Sequence, residues 1–396
     1  MRIIDIREHT IPVARYADVA TAPGGLTTSL VSVTTDVVRN GRTVVGYGFA
    51  SVGRYGQGGL IRERFAPRLL AAAGRQLSSA DGGDLDPLAC WAAMMAGEKP
   101  GGHGERCVAV GTLDMAIWDA AAKIADAPLC RFIQRRLGMD DWLLSRVPVY
   151  AGGGYPYPEN DLERLSEEIR RFLDLGFTHA KIKIGAADVG SDLRRVDVAA
   201  SLLGAEARLA VDAMNVYTPE TAPAVVAALA GRKLWWFEDP CDPLDFETQA
   251  RVAELCPFPI AVGEALFSLA EAKLLDRHGG VHRDRDILVF DPVHCYGLTG
   301  YLQIVDWLLG RGWRRTAFWP HGGSLFCQHI VAALGLGGAE INPVAFAPFR
   351  GLAEGQTLTD GEVSLPDGPG IGFETHREIR AALEPIWPEC SRPSIP

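Results

Sequence analysis

No apolar run in the chain approaches the roughly 20 residues that a membrane-spanning helix requires, so no membrane partner is expected. The opening stretch from Met1 to Glu8 breaks its apolar positions with charge at once. It carries no secretory signal pattern, and a cytoplasmic protein is expected. Positive charge is scarce. The formal net charge of −10 disfavours nucleic acid and anionic membranes as partners, but a small anion met by local cations remains open. None of the eight cysteines (Cys90, Cys107, Cys130, Cys241, Cys256, Cys295, Cys327, Cys390) forms a C-x-x-C pair. That removes the usual zinc and disulfide frameworks and leaves small, semi-buried residues in a reducing compartment. Internal repeats, low-complexity tracts and long linkers are missing too.

What is present suffices for a large core: 396 residues, 47% of them hydrophobic, enough for one large domain with a smaller one, or for two. The first 50 residues read as strands. Thr27 to Val37 is β-branched and apolar, Arg39 to Arg42 is a turn built on Asn40-Gly41, and Thr43 to Phe49 resumes, which is a hairpin pattern. From about Leu60 the pattern turns helical, and Arg106 to Ile124 is rich in Ala, Leu, Met and Trp. Residues 1–140 therefore read as an α+β unit.

After Ser145 strands and helices alternate. Candidate strands are Val147–Gly153, Ala180–Ile184, Leu209–Met214, Leu234–Glu238, Ile260–Glu264, Ile287–Asp291, Thr316–Trp319 and Ala339–Pro343. Helical patterns such as Leu162–Leu175, Pro219–Leu229, Phe246–Leu255 and Thr299–Leu309 lie between them. Eight such strands predict a parallel α/β fold over residues 141–345, with a (β/α)8-type TIM barrel ahead of an open doubly wound sheet. Both place a site at the C-terminal strand ends. Residues 346–396 return to Gly, Pro and turns and are expected to pack back on the N-terminal unit.

The strand ends carry the chemistry. The third, fourth and fifth barrel strands end on Asp212, Glu238 and Glu264, spaced by one βα unit each. In a barrel they converge, and converging carboxylates repel unless a cation sits among them. Oxygen-only ligands favour Mg²⁺ or Mn²⁺; the bland alternative is that each caps the next helix. The second strand holds Lys181 and Lys183 two apart, hence on one side, with Ile182 and Ile184 on the other. Two inward ammonium groups are costly without a purpose. Each is expected to lower the other's pKa, and a nearby Mg²⁺ to lower both, which makes a general base; solvated edge lysines are the alternative. Asp291, at the sixth strand end, stands beside His321, after the seventh, where it would orient and charge an imidazole acid or base.

Taken in order, Lys181 and Lys183, Asp212, the run Trp236 to Pro240, Gly263-Glu264, Asp291 and His321 resemble the mandelate racemase branch of the enolase superfamily. Within that branch, Thr43–Phe49, Gly53–Gly59, Glu98–Arg106 and Leu365–Phe373 are similar to the tartrate dehydratases. The resemblance implies a modified (β/α)7β barrel, an α+β capping domain completed by the C-terminal tail, and a homo-oligomer. It implies Asp212, Glu238 and Glu264 as Mg²⁺ ligands, Lys183 as base and Lys181 beside the substrate carboxylate. Asp291–His321 would be the opposing pair, and Glu340 would bond the carboxylate as it becomes an enediolate. Lys99 would meet the far carboxylate of a diacid, unless it is an ordinary exposed lysine. Arg54 and Tyr55 lie in a Gly-rich stretch, their role open.

Two departures bear on the substrate. The branch has Asp-x-Asn after the third strand, but here Met214 takes the Asn place and Asn215 follows it. Ala50 and Val52 stand where the tartrate enzymes are more polar. The implied activity is dehydration of a small hydroxy acid or diacid, D-tartrate to oxaloacetate among them. Racemisation by the same Lys/His pair and a non-catalytic metabolite-binding barrel are the alternatives. A cycloisomerase is disfavoured because Asp291 stands where a lysine would be expected.

Overall fold

A computed structural model of the chain describes residues 1–13, 26–51, 56–72, 74–79, 84–139, 143–204 and 207–388. Strands β1 (Ile3–Pro12), β2 (Thr27–Arg39) and β3 (Arg42–Phe49) form an antiparallel sheet in that order. Asn40 and Gly41, at φ 50° and 74°, close the β2–β3 hairpin, and two successive positive φ angles match the twist of the strands they join. The helix Glu105–Ile124 lies on this sheet and is buried along nearly its whole length. Its other side meets the barrel. A Cβ added at Gly111 would lie 1.9 Å from the Val293 carbonyl oxygen, so only glycine lets the two backbones meet there.

The second unit is a parallel ring. Strands β4 (Val147–Gly152), β5 (Ala180–Lys183), β6 (Leu209–Asp212), β7 (Leu234–Glu238), β8 (Ile260–Val262) and β9 (Ile287–Leu288) pair in sequence, and β10 (Ala339–Ile341) pairs with β4 to close it. Helices alternate with the strands, as the pattern predicts. The seventh position departs from the expected strand Thr316–Trp319. Arg315–Ala317 is a 3₁₀ turn, and only one parallel bridge, Phe318 to Leu288, joins this segment to β9. Past the bridge, the Trp319 N–H donates to the Leu288 carbonyl at 2.9 Å and the His321 N–H to the Val289 carbonyl at 3.4 Å, while Pro320 between them has no N–H to give.

The tail divides its contacts. Its hairpin, β11 (Leu358–Thr359) and β12 (Glu362–Val363), adds antiparallel to the outside of β4. Its remainder covers the N-terminal sheet. Phe349 and Phe373 pack on Phe49, Trp387 packs on Tyr47, and the Ser32 hydroxyl donates to the Ile386 carbonyl.

A bulge on β7 shapes the barrel interior. Leu209 pairs with Leu234 but Val211 pairs with Phe237, so Trp235 and Trp236 together oppose Ala210. The extra residue turns both indoles inward, where they meet Tyr150 and Trp319 beneath the site. Past the bulge the alternation resumes, with Phe237 outward and Glu238 inward.

Candidate active site

The register sets the first row of the site. Lys183 pairs with Asp212, and Asp212 with Glu238, across three adjacent strands. Ile182 packs outward in the core, so Lys181 and Lys183 face inward, fully and nearly fully buried. Lys181 Nζ donates to Glu238 and lies 3.4 Å from Glu340 Oε1 and 3.6 Å from Asp212 Oδ2. Lys183 Nζ donates to Asp212 and stands over the Tyr155 ring. Two further donors fix the acids: the Met214 N–H on Asp212 at 2.8 Å and the Trp236 Nε1–H on Glu238 at 2.8 Å.

One ligand atom from each of Asp212, Glu238 and Glu264 falls within 4.8 Å of the others. Octahedral oxygen ligands at about 2.1 Å from Mg²⁺ stand about 3 to 4.2 Å apart, so this buried, all-oxygen set fits the ion with little adjustment. The electrostatics agree. Burial, with Asp212 and Glu264 close by, pushes the Glu238 carboxyl up to about 8 despite Lys181. Asp239 is raised as well, by burial and by Glu264. The acids at this point exceed what two lysines balance, and a divalent cation removes the excess.

The lysines differ from the sequence expectation. Burial alone would lower them, but Asp212 holds Lys183 above the ordinary lysine range, and Glu238 and Glu340 do the same to Lys181. The expected mutual depression is outweighed by the carboxylates around the pair.

Across the barrel mouth stands the second set. His321 Nδ1 is 2.9 Å from Asp291 Oδ2, and its Nε2 lies 3.3 Å from Glu264 Oε2 and 4.0 Å from Glu340 Oε2. Burial opposes charge on the imidazole, yet Glu264, the bond to Asp291 and Glu340 raise it above the usual histidine value. Asp291 is itself buried, but His294, His321 and the Ser51 hydroxyl keep its carboxyl well below the usual range. One half thus presents the lysine ammonium groups and the other an imidazole whose charged form is favoured, with the carboxylate triad between them.

The other expected residues divide. Glu340 is buried at the site, held to about 2 by Lys181 and His321 against burial, and its Oε2 accepts no hydrogen bond. Asn215 is tied to the segment after Glu238: its N–H donates to the Asp239 carbonyl at 2.8 Å, and its buried Oδ1 has no partner. Met214 packs instead beside Tyr155 and Phe346 as an apolar wall. Lys99 is not brought to this cluster. It is exposed, on the rim of a cavity lined by Trp91, His103, Arg106 and Tyr296. Arg54 and Tyr55 lie outside the described residues. Sequence reasoning missed Ser51, His294, Arg350 and Asp239. Ser51 reaches Asp291 from 240 positions away and Arg350 reaches Ser51 from the tail, so neither leaves a local pattern; His294 stands three residues after Asp291, on the same turn. Asp239 did have a signal, since it directly follows Glu238.

Comparison with known proteins agrees with this construction. A family model described as Enolase C-terminal domain-like matches residues 164–379, more than half of the chain, and the chain belongs to that family, in the enolase superfamily. The arabinonate dehydratase of Saccharolobus solfataricus is 29% identical over 279 residues, 69% of this chain and 71% of that enzyme. A racemase from Streptomyces coelicolor A3(2), solved with bound magnesium, superposes with a TM-score of 0.75 at 25% identity, over 95% of this chain and 99% of its own. The L-talarate dehydratase from Polaromonas sp. JS666, complexed with Mg and L-glucarate, gives 0.71 at 25% identity over 94% of each chain.

Proposed function

We propose that the protein is a Mg²⁺-dependent dehydratase of acid sugars or small hydroxy-diacids, with tartrate-to-oxaloacetate conversion the leading case. The observation that carries this reading is the pairing of Lys183 with an opposed His321–Asp291 pair around one carboxylate triad. Dehydratases among the relatives, one solved with Mg and L-glucarate, support the reaction class.

Asp212, Glu238 and Glu264 are the proposed ligands. Bound there, Mg²⁺ supplies positive charge that stabilises the developing enediolate and offsets the carboxylates that hold Lys183 protonated. The rest falls to the chain. Lys181 and Glu340 meet the substrate carboxylate, Lys181 as the cation and Glu340 through its unused oxygen. Lys183 removes the proton next to that carboxylate. His321, held protonated, gives its Nε2 proton to the β-hydroxyl, which leaves as water; the enol that remains tautomerises to a 2-keto acid.

The test is 2-keto acid formation by purified protein with Mg²⁺, offered D-, L- and meso-tartrate and a panel of acid sugars. Keto acid abolished by EDTA is expected. No keto acid, but deuterium uptake at the α-carbon in D₂O, would replace the reading with racemisation by the same pair, the activity class of the Streptomyces neighbour.

A further inference from the structure

We infer that Ser51 and Arg350 are positioning residues for the His321–Asp291 pair, so that the acid half of the site is complete only when the N-terminal sheet and the C-terminal tail both hold their places against the barrel. The inference rests on the reading of His321 as the acid.

The Ser51 hydroxyl donates to Asp291 Oδ2 across 240 positions of sequence. The residue before it is pinned to the sheet: the Ala50 N–H donates to the Ser29 carbonyl at 2.9 Å, and the Thr28 hydroxyl donates to the Ala50 carbonyl at 2.6 Å. Arg350, 2% exposed, donates from Nη2 to the Ser51 carbonyl and, at 3.3 Å, to Ser51 Oγ. Its own place is fixed by stacking on Phe346 at 4.8 Å and by the Asn342 N–H, which donates to the Arg350 carbonyl at 2.9 Å.

The donor inventory makes this chain directional. A guanidinium only donates, and a serine hydroxyl has one proton. With Arg350 donating to Ser51 Oγ, that one proton goes to Asp291. Asp291 Oδ1 is taken by the N–H of Val293 at 2.7 Å and of His294 at 3.4 Å, which leaves Oδ2 for Ser51 and for the Nδ1–H of His321. The imidazole is thereby turned so that Nε2 faces the triad. There is no slack: a Cβ added at Gly322, whose φ is +119°, would lie 3.1 Å from Asp291 Oδ2 and 3.2 Å from Ser51 Oγ.

The amine half uses none of these contacts. Lys183 is held by Asp212 and Tyr155. Loss of the Ser51 hydroxyl therefore weakens proton donation to the leaving group and spares proton removal at the α-carbon.

The test compares wild type with Ser51→Ala and the hydroxyl-restoring Ser51→Thr in two measurements on the full chain. The first is the far-downfield Nδ1–H resonance of His321 in the proton NMR spectrum, identified by its absence in His321→Asn. The second, in D₂O with Mg²⁺ and the tartrate or sugar acid that wild type turns over, is keto acid formation against deuterium washed into recovered substrate. Ser51→Ala is expected to move the resonance upfield and to slow elimination by ~10- to 100-fold, the worth of one charge-assisted hydrogen bond, with α-exchange near wild type; threonine restores both. An unmoved resonance, or elimination and exchange falling together, overturns the inference. A wild type that neither eliminates nor exchanges sinks the proposed function instead, and the resonance alone then decides the inference.

Discussion

Lys183 and Asp212 are ladder partners, and each depends on the other for its charge. Lys183→Ala is expected to leave the fold intact and to cut turnover and α-deuterium uptake by at least ~100-fold, as loss of a general base does. Magnesium binding should survive; wild-type turnover in this variant would remove Lys183 from the mechanism. Glu264→Gln should act on the other property. Calorimetric Mg²⁺ affinity should fall by no less than the ~10- to 100-fold that loss of an outer-shell partner costs, and an unchanged affinity would break the ligand assignment. These residues were legible in the sequence because a strand end is a fixed place: acids at successive ends must converge, and lysines two apart must share a side. Lys99 shows the converse. A cap-loop lysine has no such geometry behind it, and the structure leaves it on a different cavity. Met214, Asn215 and Asp239 adopt φ of 48°, 62° and 42°, left-handed backbone that costs about 1–3 kcal/mol each and collects at functional sites. No residue type announces it here.

Strands and helices were legible where periodicity alone decides them, as for β7 and the helix Phe246–Leu255, which lie where the pattern predicts. The seventh strand was not, because its apolar residues fill a barrel position without forming a ladder. The contact between the two units has its own device. Asp114, buried in the helix Glu105–Ile124, accepts the Thr299 N–H at 3.2 Å and its hydroxyl at 2.8 Å, and so caps the barrel helix Gly297–Gly310 from outside. Burial raises its carboxyl to about 7 despite those bonds. Asp114→Ala leaves two buried donors unmet and is expected to cost about 2–4 kcal/mol in urea unfolding. Asp114→Asn keeps an acceptor and should cost less; equal losses would show that packing, not capping, matters at this position.

Over the whole molecule, stability is tied to one buried histidine far from the acids. His329 Nδ1 accepts the Cys130 N–H at 3.2 Å, and its Nε2–H donates to the Ile371 carbonyl at 3.1 Å. It joins the barrel helix Leu325–Leu334, the helix Leu129–Leu137 and the tail in one neutral tautomer. Burial lowers its pKa from 6.5 to about 4. Above pH 6.5 the folded and unfolded chains are both neutral there, and no cost arises. As pH falls below 6.5 the unfolded chain binds a proton that the folded one refuses. Stability therefore declines, by about 3 kcal/mol once pH reaches about 4. Thermal unfolding of His329→Gln should lose less between pH 7 and pH 4.5 than wild type does; an equal loss would put the acid sensitivity elsewhere. Joins of this kind, like Ser51 to Asp291, are closed by residues from 42 to 240 positions apart. The barrel and its triad can be read from local pattern, and the ties between units cannot.

The bulge that turns Trp235 and Trp236 inward gives the molecule a built-in optical gauge. The two indole centroids are 3.8 Å apart, and the Trp236 Nε1–H rests on Glu238, one of the proposed metal ligands. An ion that draws on Glu238 changes the field at that indole, so titration with Mg²⁺ should shift the intrinsic emission, and Trp236→Phe should silence the shift. Occupancy of the site can then be followed by fluorescence with no substrate in hand.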